Sequence, residues 1–549
     1  VDWPVRAVPS ELARRYLDAG WWTDDTLGQV LHRGLGEFPE TAIRIHSDTR
    51  PWSGTFGDVH LLARRLAAGL RSQGIGPGDV VSFQLPNCVE AVVTFYAAAF
   101  LGAVVVPIVH FYGPKEVGYI LRRTRVRAFV TMDRFGPIDF LANLDRLETA
   151  GDLAGVDLVA VVASEPSAPP ILPEGSVAFD DLVAADPIDG PADVDPDEPA
   201  VIGYTSGTTA DPKGVIHSHR TVGAEVRQLG SLQAPDAVPN LVGAPVGHAI
   251  GMLSALLIPP TQGKPINLVD VWNPPRILEL MTQHHLASGS GATFFLTSLL
   301  DHPACTDEHL ELMRHTGLGG SAVPAAVGER ATDLGISIVR MYGATEHPSI
   351  TGGTHDAPLD KRIHTDGAAL DGVEIRLVDD DGTDVEPGEP GEILSRGPDC
   401  FVGYTDPDLT ATAFDDEGWF HTGDIGILDD DGYLRITDRK KDVIIRGGEN
   451  ISAVEVEEVL MQLPEVAEVA VVAAPDQRFG ERVCAVVRAM PGSEPPDLVA
   501  VRAATEAAGL ARAKWPEDLR LVEEFPRTPS GKVQKVVLRA RLREGEPVG

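Results

Sequence analysis

The sequence predicts an α/β fold in more than one domain, with a mostly parallel sheet carrying helices on both faces and a small α+β unit after it. At 549 residues the chain exceeds what one compact core supports. Residues 1–160 alternate amphipathic helical runs with short β-rich runs, the pattern of strands joined by crossover helices. Near residue 438 this texture gives way to "GYLRITDRKKDVIIRGGENISAVEVEEVL", where basic residues and two glycines separate a strand from a helix. About 110 residues remain from there, sufficient for a small α+β domain.

Within the first region, "LLARRLAAGLRSQ" (61–73) has the periodicity of an amphipathic helix, and "VVSFQL" (80–85), "AVVVPI" (103–108) and "RAFVTM" (127–132) read as inner strands. The segment 91–108, "AVVTFYAAAFLGAVVVPI", has the length and apolarity of a membrane span. Gly102 and Pro107 divide it, so it reads as a buried helix ending at a C-cap glycine, followed by a short inner strand. Residues 163–198 are rich in Pro, Asp and Ala with little periodicity. They read as a solvated excursion across the surface, because the α/β pattern resumes after them. Ser452 and Glu455 have capping-box spacing and set a helix start at about 453.

The net charge of −35 opposes nucleic-acid binding, which needs a surplus of Lys and Arg to neutralise phosphates. An anionic ligand must be held by locally gathered cations and backbone N–H groups. Cys88, Cys305, Cys400 and Cys484 lie far apart without C-x-x-C spacing, which gives neither a zinc site nor a disulfide framework. A reducing, cytoplasmic location is the default expectation. The first residues, "VDWPVRAVPSELARR", lack a basic segment leading into an apolar core, so no signal peptide is expected.

Residues 203–215, "GYTSGTTADPKGV", combine hydroxyls, a Gly-rich turn and a nearby lysine, the ingredients of a concave anion site. The P-loop pattern is not met, since Pro212 precedes Lys213 and Gly214 follows it. By composition alone the stretch also suits, less well, a turn-rich surface loop. Downstream stand "GGSAVP" (319–324), "MYGATEH" (341–347), "GWFHTGDIG" (418–426), "DRKKDVIIRGGENISAVEVEE" (438–458) and "FPRTPSGKVQKVVLR" (525–539). In this order the set resembles the acyl-adenylate-forming superfamily, which holds acyl-CoA synthetases, nonribosomal adenylation domains and firefly luciferase.

The resemblance covers nearly the whole chain. It implies a large N-terminal multi-layer α/β domain over residues 1–437, a hinge at 438–441 and a small C-terminal α+β lid domain over 442–549. It also implies two half-reactions. A carboxylate attacks the α-phosphate of ATP to give acyl-AMP and pyrophosphate; the lid then turns, and a thiol, usually that of coenzyme A, displaces AMP. By similarity Thr205, Ser206, Gly207, Thr208, Thr209 and Lys213 wrap the β- and γ-phosphates. Their work is positioning and charge neutralisation. Glu346 is the expected Mg²⁺ ligand, a hard carboxylate, with Thr205 contributing to the same metal. Asp424 accepts the ribose hydroxyls, Arg439 adds a donor to the sugar, and Gly319, Gly320, Ser321, Tyr342, Gly343 and Thr345 surround the nucleotide.

Lys532 matches the lysine that bridges the substrate carboxylate and the α-phosphate during adenylation, where charge develops. Lys535, by contrast, reads as an ordinary solvated lysine. Lys441 is placed as the hinge residue, which absorbs backbone rotation without doing chemistry. Gly447 and Gly448 are placed along the pantetheine channel, where a missing side chain lets a thin ligand pass.

The segment "APVGHAIGML" (244–253) resembles the acid-binding helix entry, with His248 at its aromatic position. A satisfied core histidine is the equal alternative for His248. No Asp stands in this stretch to pair a substrate ammonium. Ala249 replaces the Asn of 2-hydroxyaryl relatives, and Gly343 replaces the tryptophan of acetate-specific ones. A hydrophobic medium-chain or alicyclic carboxylic acid follows, as in fatty acid metabolism, with loose discrimination between neighbouring chain lengths. Ala210 departs from the usual glycine of the phosphate loop; a positive φ there would cost about 1 kcal/mol.

The leading expectation is an acid:CoA ligase, and the alternative is a stand-alone adenylation enzyme loading a carrier-protein phosphopantetheine. Lys532, Glu346, Asp424 and Arg439 together oppose a non-catalytic nucleotide-binding protein. Acetylation of Lys532 by a protein lysine acetyltransferase is a further expectation, since it would remove the charge adenylation needs. The sequence leaves the oligomeric state open, a homodimer included.

Overall fold

A computed structural model describes residues 3–165, 171–205, 212–234, 238–440, 442–446, 449–528 and 531–548. Ser206, Gly207, Thr208, Thr209, Ala210, Lys441, Gly447 and Gly448 therefore lie outside the described residues. The central sheet has eight strands in the order Gly403–Tyr404, Lys213–Ser218, Pro199–Thr205, Val104–Ile108, Val80–Gln84, Ala128–Met132, Leu158–Val162 and Val177–Ala178. From Pro199–Thr205 to Val177–Ala178 all neighbours are parallel, and Lys213–Ser218 folds back antiparallel. Val80–Gln84, Val104–Ile108 and Ala128–Met132 are buried throughout, as strands covered on both faces must be.

The helix Val89–Phe100 lies under this sheet with every residue buried. It ends as expected at Gly102, whose φ of 65° lets the amides of Gly102 and Ala103 reach back to the carbonyls of Ala99 and Ala98. Glu90, a carboxylate on this buried helix, is paired with Arg50. Among the described residues no helix is long and apolar enough to cross a membrane.

The 163–198 stretch is more structured than its composition suggested. It supplies the last strand of the sheet, Val177–Ala178, and the helix Phe179–Val183, which buries Phe179 and Leu182. Elements of two and five residues are too short to leave a periodic signature.

A second sheet runs in the order Leu241–Val242, Ile266–Val269, Ala42–His46 and Trp52–Thr55. A third, antiparallel one joins Glu374–Val378, Gly391–Arg396, Phe420–Leu428 and Leu434–Arg439. A five-stranded sheet near the C-terminus packs against the helices Ala453–Leu460 and Lys535–Glu544.

Ser452 caps the helix Ala453–Leu460 where the sequence placed its start, its Oγ accepting from the Glu455 amide at 3.2 Å. The reciprocal half of the box is replaced, because the Glu455 carboxylate takes the Lys514 ammonium at 2.5 Å. The expectation for Lys535 is corrected. Its ammonium stands 2.7 Å from Oε1 of Glu457, with both side chains largely buried, so it is an internal ion-pair partner and not a solvated lysine.

Candidate functional site

A cavity of about 1260 Å³ opens where the ends of these sheets meet the C-terminal region. The parallel strands His315–Gly319 and Ser337–Met341 pair Gly319 with Met341, which sets Gly319, Gly320 and Ser321 beside Tyr342 on one wall. The close approach excludes side chains: a Cβ at Gly319 would stand 2.8 Å from the Met341 carbonyl oxygen. Gly320 has a φ of 75°, which favours glycine.

The antiparallel register of Phe420–Leu428 and Leu434–Arg439 places Asp424 opposite Arg439. Asp424, 5% exposed, accepts the Tyr342 O–H on Oδ2 at 2.8 Å and the Arg439 Nε–H on Oδ1 at 2.7 Å. Burial and the neighbouring Asp424 carboxylate push the Tyr342 phenol well above its usual range.

Lys532 enters the same cavity from a short hairpin. The Thr528 amide donates to the Lys532 carbonyl at 2.7 Å, the Lys532 amide donates to Thr528 Oγ1 at 3.1 Å, and the Arg527 guanidinium donates to the Gly531 carbonyl at 2.8 Å. Loss of water and the positive charge of Arg439 lower the Lys532 ammonium to about 8, against the opposing pull of Asp424 and Asp442.

Glu346 accepts the Tyr404 O–H on Oε1 at 2.8 Å, and the Lys213 ammonium lies 5.2 Å from the Tyr404 ring centre. Thr205 and Lys213, paired across their hairpin, line the cavity with Glu346. Thr345 also lines the cavity, its carbonyl 2.7 Å from Nε2 of His217. Glu346 and the Thr205 hydroxyl are hard oxygen donors of the kind Mg²⁺ takes beside phosphate oxygens and water, so the residues fit that ion.

Toward the other end the lining is apolar, with Leu229, Leu253 and Ile258 among its residues. His248 caps the short helix Ala249–Gly251, its Nδ1 accepting from the Ile250 amide at 3.4 Å. Burial lowers its imidazole to about 4, so it is neutral near pH 7. It both caps the helix and lines the cavity.

After Ala249–Gly251 the backbone runs as a π-helix over Met252–Leu257, and Leu253 and Ser254 face the cavity from it. Gly343 also lines the cavity, for a local reason that the sequence did not reveal. A Cβ there would lie 1.8 Å from the Pro348 carbonyl oxygen, so the backbone itself requires glycine.

Sequence reasoning missed one carboxyl in the cavity lining, Glu225, on the helix His219–Ser231. The signal was available. Glu225 follows Val222 by three residues and precedes Leu229 by four, so it sits in the apolar stripe of its helix.

The chain matches the AMP-binding enzyme family over residues 37–405 and the AMP-binding enzyme C-terminal domain over 455–532. It is 35% identical over 530 residues to a medium-chain fatty-acid–CoA ligase of Escherichia coli (strain K12), covering 95% of this chain and 92% of the relative. It is also 35% identical over 526 residues to a methyl-dioxo-octahydroindenyl-propanoyl:CoA ligase of Rhodococcus jostii (strain RHA1), covering 94% of this chain and 98% of the relative. The crystal structure of ATP-bound MatB from Rhodopseudomonas palustris superposes with a TM-score of 0.81 at 28% identity, covering 95% of this chain and 99% of that one. The chain belongs to the AMP-binding enzyme family, within the acyl-adenylate-forming superfamily that its motifs resemble.

Proposed function

We propose that the protein is an AMP-forming acid:CoA ligase acting on a hydrophobic medium-chain or alicyclic carboxylic acid. The observation that carries this reading is the convergence of Lys532, Asp424 and Arg439 in one cavity that also has an apolar end. In the first step a carboxylate oxygen attacks the α-phosphorus of ATP, the bond to pyrophosphate breaks, and an acyl-AMP mixed anhydride forms. Lys532, as an ammonium, neutralises charge shared between the carboxylate and the α-phosphate as it develops. Asp424 and Arg439 orient the ribose, Tyr342 with Gly319, Gly320, Ser321 and Gly343 bounds the adenine, and Thr205, Lys213 and Thr345 border the phosphates. In the second step the sulfur of coenzyme A attacks the acyl carbon, AMP leaves with the bonding electron pair, and the thiol proton passes to solvent.

Glu346 and Thr205 are the residues that would hold Mg²⁺, whose contribution is to offset polyphosphate charge. Residues 1–437 would form the adenylation domain and 442–549 the lid, turning about 438–441 at Lys441 and bringing Gly447 and Gly448 to the coenzyme A channel. The phosphate grip further assigns Ser206, Gly207, Thr208 and Thr209. Acetylation of Lys532 by a protein lysine acetyltransferase would remove the charge that adenylation needs.

The test is a pyrophosphate-release screen over carboxylic acids of graded length and ring content, with and without coenzyme A. The expected result is release with apolar acids, with AMP and the thioester formed only when coenzyme A is present. Activity confined to amino acids, or release of AMP only with a carrier protein, would overturn the reading.

A further inference from the structure

The hairpin that carries Lys532 rests on an aromatic ring to which the ligase reading gives no role. Phe294 is the second residue of the helix Thr293–Leu300 and lines the cavity together with Arg527, Gly531 and Lys532. That helix buries Phe295, Leu296 and Leu299, so Phe294 faces the other way and keeps 36% of its surface exposed. The helix is fixed behind it: Phe295 packs edge-to-face on Trp272 with ring centres 4.6 Å apart, and Trp272 Nε1–H donates to Ser298 Oγ at 3.0 Å. A single exposed ring is ordinary by itself. Its contacts set this one apart.

The Arg527 guanidinium lies over the Phe294 ring, 5.3 Å from its centre and within cation–π range. A Cβ on Gly531 would stand 3.6 Å from Cβ of Phe294, so the ring also lies against the Gly531 backbone. Arg527 pairs with Glu468 and donates to the Gly531 carbonyl at 2.8 Å, which makes the guanidinium a rigid part of the hairpin. Neighbouring cations pair on their own side of Lys441: Lys535 with Glu457, Arg539 with Asp442, and Arg488 with the same Glu468. Arg527 has its carboxylate on that side too, and its face reaches across to a ring that precedes residue 437. Lys532 follows Gly531 directly, so a hairpin that leaves Phe294 takes the ammonium with it.

We propose that Phe294 is a positioning residue: it seats the Arg527–Val533 hairpin and so holds Lys532 at the reacting carboxylate and α-phosphate during adenylation. This rests on the ligase reading, with its turn of the C-terminal region between the two steps. The rate of a step that needs one of two arrangements scales with the fraction of molecules in it. A weaker seat therefore slows the first step and leaves the second as it was or faster.

The test measures the two steps separately in the wild-type chain, Phe294→Ala and Phe294→Trp, with the best acid of the screen. Single-turnover pyrophosphate release reads the first step, and conversion of the preformed acyl-adenylate with coenzyme A to the thioester reads the second. Phe294→Ala is expected to slow the first step by about 3- to 30-fold at saturating acid, the worth of a cation–π contact, with the second slowed by less than about twofold. Phe294→Trp restores the first step, since an indole face holds a cation at least as well. In an Arg527→Met background the same Phe294→Ala change costs less than about twofold, because the contact is already gone. Equal slowing of both steps overturns the assignment, as does an unchanged first step or a loss confined to the KM for the acid; each leaves the ligase reading intact. Absence of pyrophosphate release from the wild type with any carboxylic acid overturns both.

Discussion

At the nucleotide end of the cavity charged groups hold one another: Asp424 binds Tyr342 and Arg439, and Lys532 stands within the fields of Arg439, Asp424 and Asp442. At the apolar end stand His248, whose imidazole burial lowers to about 4, and Glu225, whose carboxyl burial raises well above the usual carboxylate range. The difference follows from what each end must desolvate. A triphosphate brings its own charge, so fixed countercharges preorganise its reaction. An apolar chain brings none, and an ionised wall group there would raise the cost of every empty and filled state.

The comparison predicts that charge changes act on the nucleotide side first. Lys532→Ala should slow adenylation by about 10²- to 10³-fold in a single-turnover pyrophosphate-release assay, since its charge is used only as the transition state forms. A loss below about tenfold would mean that the two ends are less different than their charges suggest. Asp424→Ala should weaken ATP by about 10- to 100-fold, the worth of hydrogen bonds to a charged group. The KM for the acid should change little, and a parallel rise in both constants would break the contrast.

The pH dependence sharpens it further. Lys532 is protonated below about 8 in the free protein. Its lowered value means that the charged form, needed for adenylation, is lost as pH rises through that value. kcat/KM for ATP should therefore fall about tenfold per pH unit above it, while the same limb in kcat lies at higher pH because bound polyphosphate favours the ammonium. Replacing His248 with Phe should remove no limb between pH 6 and 7, because the imidazole is neutral there, and should change the acid KM by less than about tenfold. Smallest of all, Ala210→Gly should move the KM for ATP by no more than about fivefold, corresponding to about 1 kcal/mol of backbone preference.

What could be read from the sequence was what local chemistry repeats in short runs. The buried helix before Gly102, the inner strands, the Ser452 cap and the placement of Asp424 and Arg439 all rest on spacing or on motif company. What could not be read depends on partners distant in the chain. Lys535 looked solvated because Glu457 stands 78 positions away, and nothing in "GKVQK" announces an internal ion pair. Tyr404 bonds Glu346 across 58 positions. Gly343 reads in the sequence as a matter of pocket size, and nothing there shows that the Pro348 carbonyl also excludes a side chain. The π-helical turn at Met252–Leu257 is set by hydrogen-bond register, which side-chain periodicity does not resolve over six residues.

The helix start capped by Ser452 is tied across the proposed pivot at Lys441 by two hydrogen bonds. Ser452 Oγ–H donates to the Thr437 carbonyl at 2.7 Å, and the Ala453 amide donates to Asp438 Oδ2 at 2.8 Å. Any rotation about Lys441 that carries the helix Ala453–Leu460 away must open both. They act as a clasp worth about 1 kcal/mol for the neutral bond and somewhat more for the carboxylate one. Were Lys441 the pivot, the junction would set how long the C-terminal region dwells in this arrangement, some distance along the chain from Lys532.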